Sequence, residues 1–235
     1  MSQDPKRAVI LLSGGLDSTV TAAVARSDGY ALYCLTIAYG QRHIVEVAKA
    51  RAVAEALRVV EHRVTEVDLQ GIGGSALTGQ MAVPKDRGEG ARTEGIPTTY
   101  VPARNMIFLS LAFAYAEVRE AHRIYFGANV VDYSGYPDCR PEFIRAFETV
   151  AKLGTRAGVM GKQTEILAPL LMLSKKEIVR RGFELNVPFH LTHSCYDPDQ
   201  AGVACGRCDS CMIRREGFRQ AGVVDPVPYA LPLRR

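Results

Sequence analysis

The chain has 235 residues, 47% of them hydrophobic, with a formal net charge of +4. That length supports one sizeable core with at most a small appendage, and the mild positive charge suits anionic small molecules but is too weak to argue for a polynucleotide partner. Met1 to Arg7 is polar with no apolar h-region, and the longest apolar stretch, Met106 to Ala116, falls well short of the roughly 18 residues a membrane span needs, so a cytoplasmic protein with no membrane partner is expected.

Ala8 to Leu12 reads as a buried parallel strand running straight into Ser13-Gly14-Gly15. Leu16, Asp17, Ser18 and Thr19 follow, and the pattern predicts a helix from Thr19 to Ser27 closed by Gly29. A strand, a glycine turn and a helix N-terminus make an anion site: the glycines let backbone N–H groups face inward, and the first-turn amides favour negative charge. Ser13, Ser18 and Thr19 add hydroxyl donors, and Asp17 is a natural ligand for Mg²⁺. Leu12 to Thr19 is therefore the candidate nucleotide-binding stretch, with Ser13, Asp17 and Ser18 nearest the chemistry. A plain capped turn is the alternative. The stretch resembles the pyrophosphate loop of the adenylating ATP pyrophosphatases, which hold the diphosphate that leaves when a substrate oxygen attacks the α-phosphorus of ATP. A Walker loop is absent, since Gly161-Lys162-Gln163 lacks both the earlier glycine and the following hydroxyl.

Tyr30 to Ile37 is rich in β-formers and predicts a second strand, followed by Tyr39 to His43, a helix to about Leu57 and a third strand within Val59 to Leu69. Alternation at this spacing implies right-handed crossovers and a parallel sheet covered on both faces, a Rossmann-like α/β fold with ligands off the carboxyl ends of the strands. Gly71 to Ala76 matches a dinucleotide fingerprint by letters, but no helical pattern follows. Residues 71–96 read as an irregular excursion, either a lid or a surface loop. Tyr100 to Asn105 leads into Met106 to Tyr115, apolar almost all round and so predicted to be a buried helix. Arg104 and Asn105 stand at its entrance, where a guanidinium meets a phosphate or carboxylate, or simply an ion-pair partner.

Ile124 to Gly127 predicts a fourth strand, delivering the chain into Ala128 to Arg140. That loop carries Asn129, Asp132, Tyr133, Tyr136, Asp138 and Arg140, a mixture of aromatic faces and polar groups suited to a planar heterocycle. A solvated turn has the same composition. Pro141 opens a helix to Leu153, and Ile166 to Leu170 holds another strand end. Ser174-Lys175-Lys176-Glu177 is a capping box whose helix Gly182 is expected to close. Two lysines at a helix start oppose the dipole unless one of them faces phosphate.

Cys195, Cys205, Cys208 and Cys211 are separated by nine, two and two residues. Four thiolates at that spacing favour a tetrahedral structural Zn²⁺ with no open position, while an iron–sulfur cluster uses the same ligands. Cys34 is expected in the core and Cys139 in the polar loop.

Taken together, these stretches resemble the 7-cyano-7-deazaguanine synthase family of the queuosine pathway. The most specific is Asp132-Tyr133-Ser134-Gly135-Tyr136-Pro137-Asp138-Cys139-Arg140. The chain departs from the family pattern at Ala38, where an acid is usual, and at His193, where an aromatic residue is common. The resemblance implies a ligase acting on 7-carboxy-7-deazaguanine and free ammonia with ATP, Mg²⁺ and Zn²⁺. It also implies a homodimer with no direct nucleic-acid partner, with Asp132 or Asp138 reading the ring N–H edge. A nucleotide domain over 1–190 and a cysteine segment over 191–235 follow. A tRNA-thiolating relative or a non-catalytic zinc knuckle are the rival readings; the first lacks a dense basic face here, and an intact loop argues against the second.

Overall fold

A computed structural model describes residues 6–40, 45–88, 90, 95–131 and 135–230. Five strands, β1 (Arg7–Leu11), β2 (Ala31–Ala38), β3 (Glu61–Glu66), β4 (Arg123–Tyr125) and β5 (Glu165–Leu167), form one sheet in the order β3-β2-β1-β4-β5. Each pairing is parallel, with Ile10 opposite Cys34 on one side of β1 and Tyr125 on the other. Strand order therefore reverses at β1 and β4. That is where an open parallel sheet leaves a crevice at its carboxyl edge.

Alternate residues of β1 feed two cores. Val9 and Leu11 pack with Leu109, Phe113 and Phe147 from α3 (Arg104–Arg119) and α4 (Pro141–Gly154). Ala8, Ile10 and Leu12 pack on the opposite face with Ala22 and Val53 from α1 (Leu16–Ser27) and α2 (Val45–Ala56). Both faces of the strand are covered, which is why it reads as an unbroken apolar run. The short α5 (Arg156–Val159) follows α4. A third cluster joins Val20 of α1 to Ile178 and Phe218, from α6 (Lys175–Glu184) and α7 (Asp209–Ala221).

Several boundaries differ from those the sequence predicts. Helix α1 begins at Leu16, directly after Gly15, so Asp17 and Ser18 lie in its first turn rather than ahead of it. Gly182 does not close α6; the helix runs through to Glu184. Its glycine is required because a Cβ there would lie 2.2 Å from Cζ of Phe189. Helix α3 is buried on one side only, with Met106 48% and Val118 71% exposed. The excursion after β3 is anchored: Ser75 and Ala76 are fully buried, and Ala76 donates to the Thr98 carbonyl at 2.8 Å. The box at Ser174 forms as expected, with Ser174 Oγ accepting from the Glu177 amide.

Candidate active site

The corner after β1 is knitted by hydroxyls. Ser18 Oγ accepts from the Ser13 amide at 3.2 Å, lies 3.0 Å from Ser13 Oγ and donates to the Gly15 carbonyl at 3.1 Å. Gly14 takes a φ of +78°, and a Cβ there would lie 2.6 Å from the Ala50 amide nitrogen of α2. Only glycine fits, on grounds of both conformation and space. The corner opens into a cleft whose lining includes Leu12, Ser13, Gly15, Leu16, Asp17 and Ser18 on one side. Phe126, Gly127, Asn129, Tyr136 and Cys139 from the segment after β4 line it too, as do Arg104, Asn105 and Lys175.

Thr19 does not reach the cleft; it is fully buried and its hydroxyl donates to the Gly15 carbonyl at 2.7 Å, closing the first helical turn. Asp17 does, and its two carboxylate oxygens accept from Lys175 Nζ at 2.7 and 2.8 Å. The sequence singles out Lys175 only as a lysine at odds with the helix dipole. Its position opposite Asp17 depends on how α6 docks against α1, which no local pattern encodes.

Arg104 lies in the cleft with its guanidinium carbon 5.8 Å from the ring centres of both Tyr39 and Phe108. Its buried Nε has no hydrogen-bond partner among the described residues. Asn129 donates through Nδ2 to the carbonyls of Leu170 and Leu173, tying the ends of β4 and β5 together. Tyr136 stands within 2.8 Å of Thr99 Oγ1. Asp138 accepts from the Asn105 amide at 3.1 Å, fastening the start of α3, while its buried Oδ1 has no hydrogen-bond partner among the described residues. Neither Asp138 nor Arg140 lines the cleft; Arg140 is exposed and serves as the N-cap of α4. Asp132 and Tyr133 lie outside the described residues. Cys139 does line the cleft, and burial pushes its thiol up to about 12.

The four cysteines converge. Their sulfurs lie within 4.8 Å of one another, all four are buried, and none is in a disulfide. Backbone N–H groups of Tyr196, Asp197, Cys205, Arg207 and Cys208 point at these sulfurs over 3.2–3.5 Å. Amides donating to sulfur are what a set of metal-bound thiolates requires, so the residues fit a metal ion. The knuckle is not remote from the cleft, because Ser194, Cys195 and Tyr196 line it. The excursion after β3 docks on the knuckle through three ion pairs: Lys85 with Asp197, Asp86 with Arg207, and Arg87 with the buried Asp209.

A parallel sheet whose first strand-to-helix corner opens into a cleft at its carboxyl edge has the fold of the pyrophosphate-loop class. The fold agrees with that of NMN synthetase from Francisella tularensis (TM-score 0.50, 17% identity, 94% of this chain and 79% of that one). It also agrees with a 4-thiouridine synthetase solved with RNA and ATP (TM-score 0.51, 20% identity, 92% and 50%). The family model for queuosine biosynthesis protein QueC matches residues 7–222, and the chain belongs to that family. Relatives named 7-cyano-7-deazaguanine synthase are 58% identical in Myxococcus xanthus, over 95% of this chain and 97% of the relative. The figures are 57% in Anaeromyxobacter dehalogenans (97% and 98%) and 55% in Pseudomonas aeruginosa (95% and 98%).

Proposed function

We propose that the chain is a carbon–nitrogen ligase that converts 7-carboxy-7-deazaguanine and ammonia to 7-cyano-7-deazaguanine at the expense of ATP. The observation that carries this reading is that the corner after β1 and the segment after β4 open into one cleft. A nucleotide with its phosphates on the corner is thereby brought to a substrate held by the loop over 128–140.

The chemistry follows from the leaving group. A carboxylate resists ammonia because an oxide would have to leave; adenylation replaces it with AMP. Attack by the carboxylate oxygen on the α-phosphorus expels pyrophosphate, which the amides of Gly14 and Gly15 and the hydroxyls of Ser13 and Ser18 receive. Ammonia displaces AMP to give the amide; a second ATP then adenylates the amide oxygen, releasing a second pyrophosphate, and loss of that oxygen as AMP together with the two N–H protons gives the nitrile. Asp17 would hold Mg²⁺, which when bound neutralises charge developing on the phosphates. Arg104, which lines the cleft, supplies a cation for a phosphate or for the substrate carboxylate. Asn129 and Tyr136 wall the heterocycle, Tyr133 and Arg140 complete its loop, and Asp132 or Asp138 accepts from its N–H edge. Positioning and charge account for the steps without a dedicated general base.

Cys195, Cys205, Cys208 and Cys211 would hold Zn²⁺ as a structural ion, since four thiolates leave no position for substrate. The segment over 191–235 then acts as a metal-stapled wall for the nucleotide domain over 1–190. Among the described residues no helix is long and apolar enough to cross a membrane. The reading extends, from the family resemblance, to a cytoplasmic homodimer acting on small molecules with no direct nucleic-acid partner.

The test is mass spectrometry of purified protein with 7-carboxy-7-deazaguanine, ammonium and Mg-ATP. Nitrile and AMP should accumulate together, and Asp17→Asn should be much slower. ADP in place of AMP would overturn the adenylation step.

A further inference from the structure

We propose that Arg214, which does not line the cleft, is a positioning residue for the corner after β1. It holds residues 192–194 so that the His193 peptide fixes the Gly14–Gly15 peptide with its N–H toward the pyrophosphate. The inference rests on the nucleotide reading above and adds to it a residue that acts through the backbone.

Arg214 lies in α7 and is 2% exposed. All three nitrogens of its guanidinium are engaged. Nε and Nη2 donate to the two oxygens of Asp225 at 2.8 and 2.9 Å. Nη1 donates to Thr192 Oγ1 at 2.7 Å and to Ser194 Oγ at 3.4 Å, and Nη2 also reaches the Phe189 carbonyl at 3.3 Å. Asp225 is held in turn by the Val227 amide at 3.1 Å and the Tyr229 hydroxyl at 2.6 Å. One fork thus ties the chain that follows α7 to the segment over 189–194. Between Thr192 and Ser194, the His193 amide donates to the Gly14 carbonyl, and a Cβ at Gly15 would lie 3.4 Å from the His193 carbonyl oxygen. The peptide joining Gly14 to Gly15 is trans, so a carbonyl held by His193 turns the Gly15 N–H the opposite way. That N–H lies on the exposed side of the corner, 3.3 Å from Ser13 Oγ.

Stability alone does not require this arrangement. Apolar side chains filling the same space often do as well as a buried ion pair, because desolvation offsets attraction. What the guanidinium supplies is direction. Its planar fork meets a carboxylate, a hydroxyl and a carbonyl at once, whereas apolar contact alone would let the segment slide over Phe218, whose ring centre lies 5.3 Å from Arg214 Cζ. A corner that receives a diphosphate on backbone amides is sensitive to such sliding, since a misplacement of about 1 Å can cost on the order of a hundredfold in rate.

Calorimetric binding of Mg-pyrophosphate and of AMP to the intact protein tests this, with Arg214→Lys, Arg214→Met alone and combined with Asp225→Asn, and Thr192→Val. Arg214→Lys keeps a charge beside Asp225 but cannot bridge it to Thr192 and Phe189. It should weaken Mg-pyrophosphate about tenfold and leave AMP within about twofold. Thr192→Val leaves the ion pair intact and should show a smaller loss, of about threefold. The double variant removes both charges together, so its urea midpoint should lie closer to wild type than that of Arg214→Met, while its pyrophosphate affinity stays low. Affinity that recovers in step with stability would make Arg214 a purely structural residue and overturn the proposal. An equal loss for AMP would do the same, as would undiminished pyrophosphate binding by Arg214→Lys and Thr192→Val. Metal content, read by emission spectrometry, should match the wild type's; affinity lost together with metal would assign the effect to the four-cysteine cluster and overturn the proposal. Failure of the wild type to bind pyrophosphate would overturn the nucleotide reading and this proposal with it.

Discussion

The amide of His193 donates to the carbonyl of Gly14 at 2.9 Å. One hydrogen bond thereby joins the corner after β1 to the segment that, two residues later, delivers Cys195 to the knuckle. The corner after β1 is supported from two directions: α2 closes over Gly14 from one side, and the chain entering the four-cysteine cluster holds it from another.

The first prediction contrasts two glycines. Gly14 and Gly29 both take positive φ, +78° and +83°, but a Cβ at Gly29 meets nothing within 4 Å whereas one at Gly14 meets the backbone of α2. Gly29→Ala should cost about 1 kcal/mol of unfolding free energy from backbone strain alone. Gly14→Ala should cost roughly 3 kcal/mol or more, because α2 must also move. Urea denaturation of the two variants checks this, and equal losses would contradict the close approach of α2.

Removing metal from the four-cysteine cluster should be felt at the corner after β1. Chelation, or Cys211→Ser, should lower stability by at least about 3 kcal/mol, since the ion's binding energy is folding energy. Pyrophosphate affinity should fall as well, through the chain between Cys195 and His193. Cys34, buried in the sheet away from the cluster, is the control: Cys34→Ala should cost only about 1 kcal/mol and leave affinity unchanged. Thermal melts and calorimetry on the same samples read both effects.

Asp209 is 1% exposed and paired with Arg87 through Nε at 3.1 Å and through Nη2. Arg87→Ala strands a buried carboxylate and should destabilise by about 3 kcal/mol. Adding Asp209→Asn should recover part of that loss. A double-mutant cycle by chemical denaturation measures the coupling, and strict additivity would show that the excursion is not held at this point.

His62 should make stability fall in mild acid. Thr36 Oγ1 donates to the Leu12 carbonyl at 2.5 Å, so the 2.8 Å contact with His62 uses an Nε2–H of the ring. Burial, with Arg51 adding repulsion, holds the His62 imidazole below its usual range. The unfolded chain therefore takes up the proton first as pH falls, and stability is lost below about pH 6.5 and kept above it. His62→Gln should flatten the difference in denaturation midpoint between pH 7.5 and pH 5.5, and an unchanged slope would assign the acid loss to other groups.

Local covalent pattern determined much of this protein. The apolar run Ala8 to Leu12 before Ser13-Gly14-Gly15 specifies a buried strand, a glycine turn and a helix, because each follows from residues adjacent in the chain. Cys205, Cys208 and Cys211 declare a common ligand set for the same reason, the short Cys-x-x-Cys spacings placing their sulfurs near one another, while Cys195, separated from them by nine residues, is brought to them by the fold. What the chain could not disclose locally are relations between distant segments. Lys175 opposite Asp17 is decided by the docking of α6 on α1 across 158 positions of sequence. Gly182 reads as a helix stop until the ring of Phe189 is seen to occupy its place, and Asp138 reads as a free carboxylate until Asn105 claims one of its oxygens. Spacing and propensity act over a few residues, whereas close packing and charge pairing act between whichever surfaces the fold brings together.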